Sequence, residues 1–210
     1  MKVVILDTNE QRREIELKNV NGNASLIFIE SIDELEQPEG VDAIFLLIDN
    51  LPYLSSKDYF GKPIVINSVI DTLIDNKLPF NYSRINAWPG FLKRPIWEMA
   101  ANDETAISPI LKELGWNVLF VKDEPGLVAA RVLSMIINEA YFALEGKVST
   151  IEEIDLAMKL GTNYPAGPFE WKDNIGVQNI YALLQRLSET DKRYLPAPLL
   201  LEEYKKSPYQ

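Results

Sequence analysis

The sequence predicts an α/β protein: a mostly parallel, covered sheet in the amino-terminal part, followed by a helical part. Two observations carry this. Short apolar runs without polar alternation recur at Val3 to Leu6, Leu26 to Ile29, Ala43 to Ile48 and Ile64 to Ile66, each bounded by Gly, Pro, Asn or Asp. Strands buried on both faces read this way. After Gly126 the pattern becomes helical, with long apolar stretches punctuated by capping residues and by Gly and Pro.

The elements follow in order. Thr8 to Lys18 and Ser31 to Leu35 are polar and short, so the crossovers between the first strands are abbreviated. Ser31 with Glu34 has capping-box spacing; the alternative is one solvated helical turn over Glu30 to Gln37. Asp103 to Leu114 places Ile107, Ile110, Leu111 and Leu114 on a helical face with Gly115 as its stop, and Val118 to Val121 reads as a further strand. Pro109 removes one helical hydrogen bond, which predicts a kink or a start at Ser108. Gly126 to Leu144 is apolar or small except at Arg131, Asn138 and Glu139, the pattern of a helix buried on most sides. Ser149 with Glu152 predicts the cap of a helix through Leu160 that Gly161 ends; Pro168 opens a first turn, and Val177, Ile180, Tyr181, Leu184 and Leu187 form one face of a last long helix. Asp123 to Gly126 is the expected boundary, giving domains 1–122 and 123–210.

Composition narrows the function classes. Acidic residues number 31 against 21 basic ones, a net charge of −10, which repels a polyphosphate backbone and argues against nucleic acid as partner. No apolar run approaches the roughly 20 residues that span a bilayer, and Met1 to Asp7 lacks the features of a secretory signal, so a soluble, cytoplasmic protein is expected. Zero cysteines remove disulfides, thiolate nucleophiles and thiolate metal sites. Zero histidines remove imidazole ligands and the commonest general base near neutral pH, so no metal site is expected.

The run from Gly161 to Gly176, Gly-Thr-Asn-Tyr-Pro-Ala-Gly-Pro-Phe-Glu-Trp-Lys-Asp-Asn-Ile-Gly, resembles the helical domain of the 3-hydroxyacyl-CoA dehydrogenases. The resemblance extends to Asp123 to Arg131, Ser149 to Lys159 and Pro196 to Leu200, and covers Ile85 to Lys205. It implies a truncated Rossmann-like sheet followed by an all-α, 6-phosphogluconate-dehydrogenase-like helical domain that pairs two subunits. Residues 1–84 are few for a full dinucleotide sheet, so a pruned one is expected. The family's reaction is hydride exchange between a 3-hydroxyacyl-CoA and NAD.

The site positions that the resemblance implies depart from the family. Its first strand leads into a Gly-x-Gly-x-x-Gly turn against the dinucleotide pyrophosphate. Here the turn is Asp7-Thr8-Asn9-Glu10, and no glycine precedes Gly22. Side chains would crowd the phosphate, and Asp7 and Glu10 would repel it, so no cofactor is expected. The family's His-Phe-Phe-Asn-Pro motif matches Asn86-Ala87-Trp88-Pro89-Gly90, with the orienting glutamate at Glu98. An amide can hydrogen-bond a substrate oxygen but cannot take a hydroxyl proton. The family's substrate-contacting Asn falls on Ala130 while Arg131 is kept, and its Asn-Thr-Ser motif is Asn67-Ser68-Val69. Candidate ligand-binding residues are therefore Ser68, Asn86, Glu98 and Ala130, with Glu98 and Asn86 at the catalytic positions.

Other features have plainer readings. Lys93-Arg94 reads as a solvated rim, with CoA phosphate contact as the alternative. Glu152-Glu153 and Glu202-Glu203 read as helix-surface charge, and Trp88, Trp97, Trp116 and Trp171 as packing residues. Three functions follow: a non-catalytic, dimeric binder of an acyl-CoA or partner; an NAD-dependent oxidoreductase with Glu98 as base; and a purely structural protein dimerising through Gly126 to Leu144.

Overall fold

The computed structural model describes residues 1–22, 24–35, 40–48 and 61–207. The chain packs as two compact units, Met1–Leu127 and Val128–Gln210.

The first unit is a seven-stranded sheet. In chain order its strands are β1 (Lys2–Leu6), β2 (Ser25–Ile29), β3 (Ala43–Leu46), β4 (Ile64–Asn67), β5 (Tyr82–Ile85), β6 (Ile96–Ala101) and β7 (Asn117–Phe120). In space they run β2-β1-β3-β4-β5-β6-β7. Every pairing is parallel except β5 with β6. The expected pruned sheet is not found, since the sheet has seven strands; among the described residues before β5, the helical pieces are α1 (Asn9–Glu16) and one short 3-10 turn, Ile32–Glu34.

Burial explains the apolar runs. β3 and β4 are buried at every position. Val3, Ile5, Ala43, Phe45, Val65, Ile85, Trp97 and Met99 face a core closed by Ile15 of α1 and by Ile107, Leu111 and Leu114 of α2 (Glu104–Leu114). Val4, Leu6, Ile44, Leu46, Ile64 and Ile66 face a second core closed by Leu35, Val41 and Leu73. Each such side chain contributes about 1.5–3 kcal/mol on leaving water, and together they hold the central strands.

Strands β5 and β6 are absent from the sequence reading, because Ser83 and Arg84 interrupt the apolar pattern although both are buried. Arg84 is fully buried. It pairs with Asp123 and donates to the carbonyls of Ser68 (2.8 Å) and Glu124 (2.7 Å), so its desolvation is offset by charge and hydrogen bonds.

Several boundaries differ from expectation. The Ser31–Glu34 capping box forms, on the 3-10 turn; Gln37, the end of the alternative turn, lies outside the described residues. α2 starts at Glu104 under an Asp103 cap and runs through Pro109 without restarting at Ser108. Pro109 is exposed, so the carbonyl it leaves without a donor lies on the solvent side.

The second unit contains α3 (Ala129–Glu145), α4 (Ile151–Thr162), α5 (Pro168–Ile175), α6 (Val177–Ser188) and α7 (Pro198–Lys206). α3 is not buried on most sides: Val128, Val132 and Phe142 are 50%, 53% and 43% exposed. The cap of α4 is Thr150 with Glu153, one residue later than expected, and the helix passes through Gly161 to end at Asn163, whose left-handed backbone closes it.

Local chemistry explains the punctuation between α4 and α5. The buried Asp155 carboxylate accepts the N–H groups of Phe169 (2.8 Å) and Glu170 (3.2 Å), satisfying the start of α5. A Cβ on Gly167 would lie 2.3 Å from that carboxylate, so glycine is required there. Buried Asn138 donates to the Leu195 carbonyl (3.0 Å) and accepts from Ala197 N–H (2.8 Å), fixing the approach to α7. Glu203 is more than surface charge: it accepts from Tyr141 Oη and pairs with Lys172.

Candidate functional site

Open parallel sheets place ligands beyond the carboxyl ends of their strands. At that end of the first unit, three of the expected residues fall in one row. The last paired residues are Asn67 with Ile85 in the parallel β4–β5 ladder and Ile85 with Met99 in the antiparallel β5–β6 ladder. The next residue along each strand is Ser68, Asn86 and Glu98. The row is on the sheet face opposite Ile85, Trp97 and Met99, because successive side chains alternate.

Each member has a distinct state. Ser68 Oγ donates to the Asp71 carbonyl (2.7 Å) and so is engaged within its own loop. Asn86 is buried; its Oδ1 accepts Trp88 N–H (3.0 Å), while Nδ2 is buried without a hydrogen-bond partner. Glu98 is half-buried, and together with Glu14 it acts on the Arg94 guanidinium, whose pKa burial lowers and these carboxylates raise. Arg94 is not a solvated rim: it is half-buried and lies 3.9 Å from the centre of the Phe91 ring. Ala130 belongs to the second unit, fully buried on α3.

The segment from Ala87 to Arg94 is held by α1 and by Lys18 just past its end. Gln11 Nε2 donates to the carbonyls of Leu47 and Ala87, the latter at 3.3 Å. The Glu14 carboxylate accepts the N–H groups of Gly90 and Lys93 (3.1 Å). Lys18 Nζ donates to the Arg94 carbonyl (2.7 Å) and lies 4.8 Å from the Trp97 ring centre. Gln11 and Glu14 share one face of α1 and Lys18 follows two residues past its end, a signal disguised in the sequence by the polar composition of the stretch. Trp97 and Trp116 pack 4.9 Å apart, donating to the carbonyls of Leu92 and Asn19.

The turn after β1 is occupied by its own side chains. Thr8 caps α1, its Oγ1 accepting from Gln11 N (3.3 Å) while Gln11 Oε1 accepts from Thr8 N (2.9 Å). The buried Asp7 carboxylate pairs with Arg12 (3.0 Å). Burial pushes Asp7 above the ordinary carboxylate range, with Arg12 offsetting part of the effect.

In the second unit a groove of about 580 Å³ lies along α3, lined chiefly by Val132, Met135, Ile136 and Ala143 of that helix and by Ile154 and Met158 of α4. Among the described residues, no group of three or more acidic, His or Cys side chains is placed to hold a metal ion, and no helix is long and apolar enough to cross a membrane.

Residues 126–209 match the family model for the 3-hydroxyacyl-CoA dehydrogenase C-terminal domain. Among curated proteins, the chain is 44% identical over 92 residues to the 3-hydroxyadipyl-CoA dehydrogenase of Escherichia coli strain K12, an alignment that spans 43% of this chain and 19% of that protein. It is 38% identical over 108 residues to the 3-hydroxybutyryl-CoA dehydrogenase of Bradyrhizobium diazoefficiens, spanning 50% of this chain and 37% of that one. The chain thus matches well under half the length of these relatives. Its fold is similar to the crystal structure of (S)-3-hydroxybutyryl-CoA dehydrogenase from Ralstonia eutropha, with a TM-score of 0.73 over 98% of this chain and 93% of that one, at 19% identity. Residues 126–209 are thus similar to the C-terminal domain of the 3-hydroxyacyl-CoA dehydrogenases.

Proposed function

We propose that this chain is a 3-hydroxyacyl-CoA dehydrogenase-like protein that has lost dehydrogenase chemistry and acts in the cytoplasm as a homodimeric binder of an acyl-CoA or of a partner. The observation that carries this reading is the filled turn after β1. A dinucleotide pyrophosphate needs glycine backbone and free N–H groups at the helix start. Here Thr8 takes the Gln11 N–H, the Gln11 side chain crosses to Leu47 and Ala87, and a buried carboxylate, Asp7, ends the strand. These residues do not fit the cofactor.

The buried Asn86 Nδ2 supports a ligand bearing an oxygen acceptor, such as a thioester carbonyl, because a buried donor without a partner costs about 1–3 kcal/mol until one arrives. Asn86 has no basic lone pair with which to accept a hydroxyl proton. The dimer is supported by α4: Asp155 is its one buried residue, while Ile151, Leu156 and Leu160 are 42%, 52% and 77% exposed. A contiguous exposed apolar patch marks a surface for another chain, a membrane or a ligand, and another chain is the reading taken here.

Titration with NADH and acetoacetyl-CoA, read at the nicotinamide absorbance band, is expected to show no turnover. The Asn86→His variant is expected to show none either, because the turn stays filled. Sustained oxidation of NADH by the unmodified chain ends the proposal. Acetoacetyl-CoA alone is expected to raise the melting temperature.

The second reading, an active NAD-dependent oxidoreductase with Glu98 as base, is supported by one arrangement: Asn86 and Glu98, which the resemblance aligns with the family's dyad, lie next to the Ile85–Met99 pair that ends the β5–β6 ladder. Glu30, just past β2, also stands where Rossmann sites place a ribose-binding acid. Micromolar NADH binding that is lost on substituting Asp7 to Glu10 would support it. A third reading, dimerisation as the sole role, is supported if neither nucleotide nor thioester shifts the melting temperature.

A further inference from the structure

The row of Ser68, Asn86 and Glu98 continues onto β7. Glu98 pairs with Leu119 in the β6–β7 ladder, and Ile96 stands two residues before Glu98 on its own strand, so all three project from one face of the sheet. Ile96 and Leu119 are 55% and 57% exposed, while Trp97 between Ile96 and Glu98 turns into the core on the other face. On the β5 side, the register that joins Ile85 to Met99 sets Asn86 across from Glu98 at its next step. Cross-strand neighbours of this kind stand about 5 Å apart at Cβ. Asn86 is 6% exposed and its amide is oriented: Oδ1 accepts the Trp88 N–H at 3.0 Å, which leaves Nδ2 as the donor, buried without a partner. One face thus brings together a buried N–H donor, a half-buried carboxylate and two exposed aliphatic side chains.

We propose that this face hydrolyses acyl-CoA thioesters, with Asn86 Nδ2 holding the carbonyl oxygen, Glu98 activating a water, and Ile96 and Leu119 receiving the start of the acyl chain. This rests on the acyl-CoA reading above and gives that site a reaction that needs neither dinucleotide nor imidazole. The Glu98 carboxylate takes a proton from water as the water oxygen bonds to the thioester carbon. The carbonyl electron pair moves onto its oxygen, where the Asn86 N–H stabilises the charge. The carbonyl then re-forms, the C–S bond breaks with its electron pair going to sulfur, and the proton held by Glu98 passes to the departing thiolate. Thioester and water become a carboxylic acid and the CoA thiol, and nothing is oxidised or reduced. The residue types suit this division of labour: an amide donates a hydrogen bond without titrating, and a carboxylate is an acceptor for the proton of water.

The test is release of free thiol from butyryl-CoA and octanoyl-CoA, neither of which carries the oxygen on the third carbon that a 3-hydroxyacyl-CoA dehydrogenase acts on. The chain has no cysteine, so a thiol reagent reads CoA alone. The unmodified chain is expected to release CoA with no nucleotide added. Glu98→Gln is expected to slow release by about a hundredfold or more while acetoacetyl-CoA still raises its melting temperature, so that the loss is one of chemistry and not of fold. Asn86→Asp keeps the acceptor for the Trp88 N–H, removes the donor, and is expected to slow release by about 10²–10³-fold. Leu119→Ser is expected to slow octanoyl-CoA more than butyryl-CoA, and an equal effect on the two would overturn the placement of the acyl chain. Acetoacetyl-CoA that raises the melting temperature of a chain releasing no CoA from either thioester overturns the hydrolase and leaves the acyl-CoA binder standing. Absence of both the shift and the release overturns both. Release undiminished in Glu98→Gln and in Asn86→Asp puts the reaction elsewhere and also overturns the proposal.

Discussion

The carboxylate of Glu14, on α1, accepts the backbone N–H of Gly90, 76 residues further along the chain, and that of Lys93 as well. It thereby ties the first helix to the segment that follows Asn86. Both N–H groups lose their acceptor in Glu14→Ala, which is expected to cost about 2–4 kcal/mol on the scale of charge-assisted bonds and unsatisfied donors. Glu14→Gln keeps one acceptor oxygen and is expected to lose about half as much. Urea unfolding measures both; equal stability of Glu14→Ala and the unmodified chain would show that the tie does not matter.

Among the described residues Arg84 is the largest fully buried side chain, and its guanidinium serves Asp123 and the carbonyls of Ser68 and Glu124 together. Arg84→Met strands all of them and is expected to cost about 3–5 kcal/mol. Arg84→Lys is expected to recover less than half of this, since an ammonium cannot fork to three separated acceptors. Full recovery by lysine, in the same unfolding experiment, would refute the geometric account.

Two glycines of the Gly161 to Gly176 run are expected to respond with opposite signs. Gly161 lies within α4 with nothing within 4 Å of an added Cβ, so Gly161→Ala is expected to stabilise by about 0.5–1 kcal/mol. A Cβ at Gly167 would meet the Asp155 carboxylate, so Gly167→Ala is expected to destabilise by about 1–3 kcal/mol. Thermal melts that give both changes the same sign would contradict this.

Asp7 makes stability depend on pH in a known direction. Burial raises its folded-state pKa above the ordinary 3.8, with Arg12 offsetting part of the effect. The folded chain therefore holds this proton more tightly than the unfolded one. Its contribution to stability is full below the ordinary value and is lost as pH rises through the raised one. Asp7→Asn does not titrate, so its melting temperature relative to the unmodified chain is expected to climb between acid and neutral pH. A flat or falling difference would refute the assignment.

Much of the fold was legible because burial and periodicity leave direct marks. β1, β3 and β4 read as unbroken aliphatic runs since both their faces are covered. Pro168 and Gly176 bound α5 where their backbone preferences place them. β5 escaped because its Ser83 and Arg84 are buried yet polar, which no pattern of apolar residues reveals. Thr150 in place of Ser149 as the cap of α4 escaped because two adjacent hydroxyls have nearly the same spacing to Glu153 and Glu152.

From the chain alone came the class of fold, the resemblance of the helical half to the 3-hydroxyacyl-CoA dehydrogenases, the absence of histidine and cysteine chemistry, and the lack of a glycine turn after the first strand. These depend on residue identity and local spacing, which short-range sterics and apolar burial translate directly into structure. Only the tertiary structure decided that Ser68, Asn86 and Glu98 fall in one row, that Gln11, Glu14 and Lys18 grip the segment after Asn86, and that Arg84 is the buried tie between the loops after β4 and β7. Such contacts join residues tens of positions apart through strand register and polar satisfaction, and the pairing of strands that creates them is a property of the whole sheet.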